Sequence, residues 1–80
     1  NYPNPFNPST NIRFKISEAG LTTLKIYNIL GQEVAEVINE FVEPGSYEIQ
    51  FDASSLSSGI YFYRLSVNDF IASKKMILIK

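Results

Sequence analysis

The 80-residue chain contains neither cysteine nor histidine. Without cysteine the fold forms no disulfide and offers no thiolate to a metal ion. Without histidine it cannot build the Ser-His or Cys-His pairs that activate a nucleophile. Its four glycines do not form a phosphate-binding loop, and no apolar run approaches the roughly 20 residues of a membrane span. We therefore predict no catalytic residue, no bound cofactor and no metal site.

The chain also lacks a charge imbalance, since seven basic and eight acidic residues give a net charge of −1. No electrostatic argument therefore favours nucleic acid or an anionic membrane as a partner. The charges are nevertheless unevenly placed, with six of the eight acids between Glu33 and Asp52. Lys74, Lys75 and Lys80 lie in the last seven positions, which contain no acid.

The acids occur singly, and they do not form the pair of facing carboxylates that a glycosidase needs. We interpret them as a solvated face. Asp52 and the hydroxyls of the loop at 53–58 could contribute to a calcium site, but that loop contains no second carboxylate.

Composition favours one folded domain, because 80 residues suit a single domain and 45% of them are hydrophobic. Three of the four prolines lie in residues 1–10, which predicts an extended or turning lead-in. We expect residues 11–80 to form the folded body. The chain begins at Asn1, so we expect it to be the C-terminal piece of a longer polypeptide.

Apolar and polar residues alternate with the period of two that is typical of half-buried strands, most clearly at 12–16, 24–29, 47–51 and 61–67. Pro44-Gly45 is a strong turn signal. With segments at 33–42, 70–73 and 74–80, the pattern predicts about seven short strands. The fold class is therefore all-β, an immunoglobulin-like antiparallel sandwich.

The segment 33–42 is ambiguous. Val34, Val37, Ile38 and Phe41 have helical spacing, whereas the β-branched content favours a strand. On pattern alone we favour a strand.

Two groups of apolar residues have a less obvious role. Tyr61, Tyr63 and Leu65 share one face of a strand and predict a core, while Tyr27 and Phe62 lie on more polar faces and are candidates for contact with a ligand. In the last run Met76 and Leu78 point one way and Ile77 and Ile79 the other. This run is either buried on both sides or exposes an apolar stripe.

Taken in order, these segments resemble the type A C-terminal sorting domain of substrates of type IX secretion, also called the Por secretion system. The matching segments lie at 2–10, 12–14, 24–34, 44–45, 51–53, 56, 58–65 and 74–80. The positions that we single out within them are Pro3, Asn4, Pro5, Gly31, Gly45, Gly59 and Tyr61. Each piece alone is weak, and their colinearity makes the resemblance specific.

The resemblance implies a secretion signal and not a catalytic activity. It implies an immunoglobulin-like fold. It also implies that the protein passes through the periplasm of a Gram-negative bacterium and is then secreted or held at the cell surface. The implied partners are an upstream cargo domain in the same polypeptide, the outer-membrane translocon, and a surface sortase that removes the domain upstream of Asn1 and anchors the cargo. It implies no small-molecule substrate and no nucleic acid.

We expect the last strand to be part of what the translocon reads, because a chain end is open to edge recognition. The residues concerned are Lys74, Lys75, Met76, Ile77, Leu78, Ile79 and Lys80.

Two other functions fit a small sandwich. An accessory carbohydrate-binding module predicts exposed coplanar aromatic rings and affinity for polysaccharide. A structural spacer predicts a domain embedded within its parent chain.

Overall fold

A computed structural model describes residues 9–79 of the chain. Its six strands, in chain order, are β1 Ser9–Ile16, β2 Gly20–Asn28, β3 Glu33–Val42, β4 Gly45–Asp52, β5 Gly59–Val67 and β6 Phe70–Leu78. β1 begins at Ser9, two residues inside the predicted lead-in. Across the described range there is no helix with the length and apolarity needed to traverse a bilayer.

The strands form two antiparallel sheets, which confirms the predicted all-β sandwich. One sheet has two strands in the order β1-β4, and the other has four in the order β3-β2-β5-β6. The described residues form six strands and not about seven. The segments at 70–73 and 74–80 belong to one strand, β6, which pairs with β5 from Phe70 opposite Val67 to Leu78 opposite Gly59. No glycine or proline interrupts this run, so the pairing continues through it.

The core lies between the two sheets, because alternate residues of each strand point inward. Leu24 and Ile26 on β2 are fully buried, and Tyr61 and Leu65 on β5 are buried beside them. These two β5 residues are core as predicted, whereas Tyr63 is only half-buried. The buried apolar residues are Ile12, Ile16, Leu24, Ile26, Ile38, Val42, Ala53, Tyr61, Leu65, Val67 and Leu78.

β3 is a strand with two irregularities. Leu24 pairs with Ile38 and Lys25 with Glu36, so the register skips Val37. A second shift, between Ile26 and Tyr27, skips Val34 in the same way. Each extra residue interrupts the period of two, as in a β-bulge. The three-residue step from Val34 to Val37 therefore comes from these bulges, whereas Phe41 lies on the opposite face from Ile38 and is 61% exposed.

Candidate recognition surface

β6 forms one edge of the four-stranded sheet, since within residues 9–79 it pairs with β5 alone. Its successive side chains alternate between the two faces of the sheet. Lys74 lies on the inner face with Leu78, and Lys75 lies on the outer face with Ile77. The two neighbouring lysines therefore serve different surfaces.

The outer face at the end of β6 carries exposed apolar side chains. Ile77 is 63% exposed and Ile79 is 82% exposed. Ile77 lies opposite Ile60 of β5, and Phe62 is two residues further along β5 on the same face. We call Ile60, Phe62, Ile77 and Ile79 the outer patch. Of the two predicted arrangements of the last run, the structure has the exposed apolar stripe, because Leu78 alone is buried there.

A shallow depression of about 290 Å³ adjoins the outer patch. Tyr27, Ile29, Phe62, Arg64 and Ser73 contribute to its lining. The guanidinium carbon of Arg64 lies 5.0 Å from the ring centroid of Tyr27, within the range of a cation–π contact. Arg64 therefore lies over one face of the Tyr27 ring, and that face is not open to stacking with a sugar.

A tightly bonded turn places Ile29 beside the depression. The side-chain oxygen of Asn28 accepts hydrogen bonds from the backbone N–H groups of Leu30 and Gln32, both at 2.9 Å. The Gly31 N–H donates to the Asn28 carbonyl at 2.9 Å. Ile29 and Leu30 are consequently held in an exposed position.

Sequence reasoning did not assign these two exposed apolar residues, Ile29 and Leu30, to a surface. The available signal was an apolar pair placed between Asn28 and Gly31, the two residues that specify the turn. Ile60 was also missed, because its exposure becomes visible only when β5 and β6 are paired.

The glycines singled out from the sequence lie at turns and strand ends and have positive φ angles. Gly31 has φ 84°, Gly45 has φ 153° and Gly59 has φ 158°. Residues with a β-carbon rarely adopt such conformations, which gives these positions a backbone role. Tyr61 is buried, and its hydroxyl donates to the Ser57 carbonyl at 2.8 Å. Pro3, Asn4, Pro5 and Lys80 lie outside the described residues.

The acidic residues Glu33, Glu36 and Asp52 make ion pairs or hydrogen bonds at the protein surface. Lys25 lies 3.4 Å from Glu33 and 3.8 Å from Glu36, in contacts at the β3 edge. The Asp52 carboxylate accepts a hydrogen bond from the Ser54 backbone N–H at 2.9 Å, which closes the turn after β4. No group of three or more metal-binding side chains occurs between residues 9 and 79.

The geometry therefore offers a displayed surface, formed by an edge strand and an apolar outer patch. Comparison with known proteins gives a family match: a family model described as a secretion system C-terminal sorting domain matches residues 1–80. No curated protein and no solved structure matches the chain.

Proposed function

Because the chain belongs to the family of type IX secretion C-terminal sorting domains, we propose that it carries an attached cargo across the outer membrane without catalysing a reaction itself. The family is a sorting signal and not a catalytic family, and its members belong to proteins that are secreted or held at the cell surface. The match over residues 1–80 carries this proposal.

We further propose that the translocon reads the outer patch together with Lys75. Ile77 and Ile79 present apolar area that the core does not use, and exposed apolar clusters commonly serve as contact sites. Lys75 lies on the same face beside them, opposite Phe62 of β5. An acidic rim around an apolar contact on the partner would complement this arrangement.

The experiment is export of a fluorescent reporter that carries a signal peptide at its amino end and residues 1–80 at its carboxyl end. In a host with type IX secretion we expect the fusion to reach the cell surface or the medium. Retention of the unmodified fusion in the periplasm would contradict the sorting function.

A matched pair of variants tests the outer patch. Ile77→Ser removes an apolar side chain from the patch, and we expect export to fall several-fold. Ile71→Ser is the control, because Ile71 lies on the same strand and is 61% exposed. Substitutions at such exposed positions usually change stability by less than about 0.5 kcal/mol. Equal export of the two variants would show that the translocon does not recognise the outer patch.

The charge of the last strand is tested by replacing Lys74, Lys75 and Lys80 with Gln. Exposed lysines contribute little to stability, since surface ion pairs are worth about 0–1 kcal/mol. We expect the triple variant to fold while its docking to the translocon weakens. Lys75→Gln alone should lower export as much as the triple variant does. Normal export of the folded triple variant would show that lysine charge is not the signal.

The fate of the domain after export is the finer part of the proposal. We propose that a surface sortase removes the domain and that the cargo is then anchored. Mass spectrometry of the exported reporter should show that a peptide bond upstream of Asn1 has been cleaved and that residues 1–80 are missing. An exported reporter that keeps the whole domain would contradict removal while leaving the sorting function intact.

A further inference from the structure

Within residues 9–79 the two sheets differ in width, so no described strand covers part of the inner face of the larger sheet. Within residues 9–79 the smaller sheet consists of β1 and β4 alone. β1 pairs with β4 along one edge. On its other side an open groove of about 220 Å³ separates β1 from β6. We call it the β1–β6 groove, and its lining includes Phe14, Lys15, Tyr63, Leu65, Ala72 and Lys74.

We propose that the β1–β6 groove binds an extended segment of another polypeptide, which pairs with the edge of β1 that no strand within residues 9–79 occupies, and in which apolar and acidic residues alternate. This inference does not rest on the export function. Strand addition to an open sheet edge is an established mode of peptide recognition, in which alternate side chains enter pockets.

The floor of the groove accepts apolar side chains. Phe14, Tyr63 and Ala72 are half-buried, and Leu65 lies beneath them. The Phe14 ring stacks on Tyr47 of β4, with ring centroids 5.4 Å apart, so Phe14 is fixed by the sheet to which a new strand would add. Apolar residues on the inner side of an added strand would cover this floor.

The rim of the groove is cationic. Arg13, Lys15 and Lys74 are its charged lining residues in the described part of the chain. Arg13 already has a partner, since it lies 3.5 Å from Glu48 of β4. Lys15 faces Ser46 across the same strand pair, so β4 provides no carboxylate at that position.

Lys74 is the second available cation, and it lies on the inner face of β6. No ion pair within residues 9–79 involves either Lys15 or Lys74. Lys15 lines the groove on its β1 side and Lys74 lines it on its β6 side, so the acids of an added strand would lie between two amines that are not engaged by a carboxylate of the described chain.

β4 shows which sequence β1 accepts as a neighbour. Its inward residues Tyr47, Ile49 and Phe51 are apolar, and the outward Glu48 pairs with Arg13. A strand added to the other edge of β1 would repeat this pattern if its inward residues were apolar and an outward acid paired with Lys15, as Glu48 pairs with Arg13. The known partner of β1 thus defines the sequence class that we expect for the second one.

The far end of the groove limits the charge of the ligand. Beyond Lys15 and Phe70 the groove opens into a cavity of about 460 Å³, where Glu18 and Asp69 contribute to the lining. Acidic residues there would be repelled. The acidic part of the ligand therefore belongs between Lys15 and Lys74, and the part beyond Phe70 should be neutral or basic.

The test measures binding of a fluorescein-labelled peptide to the purified 80-residue chain by fluorescence anisotropy. The probe is Thr-Glu-Ile-Glu-Val-Glu-Ile-Thr. One matched peptide has Lys in place of each Glu, and a second has Pro in place of Val, which removes a backbone N–H from the strand. We expect saturable binding of the first peptide and binding at least about tenfold weaker for both matched peptides.

Two adjacent lysines give the matched variants. Lys74→Gln should weaken binding about threefold to fivefold, the fold-change that corresponds to losing one surface charge pair. Lys75→Gln removes the same charge from the opposite face and should leave binding unchanged. Ala72→Glu, which places an acid in the floor, should abolish binding, and thermal unfolding checks that each variant remains folded.

Several outcomes would overturn the proposal. They are absence of binding, equal weakening by the two lysine variants, and undiminished binding of the proline peptide. If sedimentation shows a dimer that Ala72→Glu disperses, the occupant is a second copy. If the peptide binds only after residues 1–8 are deleted, the occupant belongs to the same chain. Since this assay uses purified protein, its failure is separate from failure of export.

Discussion

At the scale of single residues, a buried tyrosine links strand β5 to the loop before it. The hydroxyl of Tyr61 donates to the carbonyl of Ser57, four residues upstream, as in the tyrosine corner of immunoglobulin-like sandwiches. Tyr47 makes the same bond to Glu43, but in an exposed setting. Comparing the two tyrosines therefore shows how burial changes the contribution of this hydrogen bond to the free energy of unfolding.

We predict that Tyr61→Phe lowers the free energy of unfolding by about 0.5–1.5 kcal/mol, because a net hydrogen bond is lost in a buried site. Tyr47→Phe should cost less than about 0.5 kcal/mol, since water can replace an exposed bond. Urea unfolding of both variants measures the difference. Equal costs would show that burial of Tyr61 does not strengthen its bond.

The Asn28 side chain organises the turn between β2 and β3. Asn28→Ala removes two acceptor contacts to backbone N–H groups, and we expect it to lower the free energy of unfolding by about 1 kcal/mol. Gln32→Ala removes only the side-chain contact that Asn28 donates to Gln32 at 2.8 Å. This control should cost less than about 0.5 kcal/mol. A larger loss for Gln32→Ala than for Asn28→Ala would contradict the assignment.

At the scale of elements, sequence pattern predicted most strands because one face of each strand is buried. Regular alternation at 12–16, 47–51 and 61–67 identified β1, β4 and β5. It failed to identify β3 clearly, since two bulges at Val34 and Val37 interrupt the period of two. It also divided β6, because continuous pairing with β5 depends on contacts between segments and not on local pattern.

β2, one of the two inner strands of the larger sheet, should be the most stable element. β2 pairs with both β3 and β5, and its Leu24 and Ile26 side chains are fully buried. We predict that β2 amides exchange with solvent at least about tenfold more slowly than those of β6, because edge strands open locally at lower free energy. Hydrogen exchange followed by nuclear magnetic resonance measures this. Uniform protection across the sheet would mean that the domain opens only as a whole.

At the scale of the whole molecule, the recognition surface was less predictable than the fold. The sequence indicated that Ile77 and Ile79 face away from Leu78, but it could not decide whether another layer covers them. That depends on whether a further layer packs on the outer face of the four-stranded sheet, and no described strand lies there. The small width of the two-stranded sheet in the described range leaves the β1–β6 groove on the inner face, for which the sequence contains no local signal.

The stability of the molecule should depend little on salt. Its ion pairs within residues 9–79, Arg13 with Glu48 and Lys25 with Glu33 and Glu36, lie at the surface. Such contacts contribute about 0–1 kcal/mol each and are screened by salt. We predict that raising sodium chloride from about 0.05 M to about 0.5 M changes the free energy of unfolding by less than about 1 kcal/mol. Urea unfolding at both concentrations checks this, and a larger loss would reveal an ionic contribution beyond these pairs.

The edge position of β6 also determines how the domain responds to force. A pull on the carboxyl end, directed away from β5, loads the pair of Leu78 and Gly59 first and then each pair toward the turn at Asn68. Hydrogen bonds that break one after another each resist with only about 0.5–1.5 kcal/mol. The strand would therefore peel like a zipper, while β2 with Leu24 and Ile26 remains in place. A machine that grips the tail could draw out an extended ribbon at low force without first unfolding the rest of the domain.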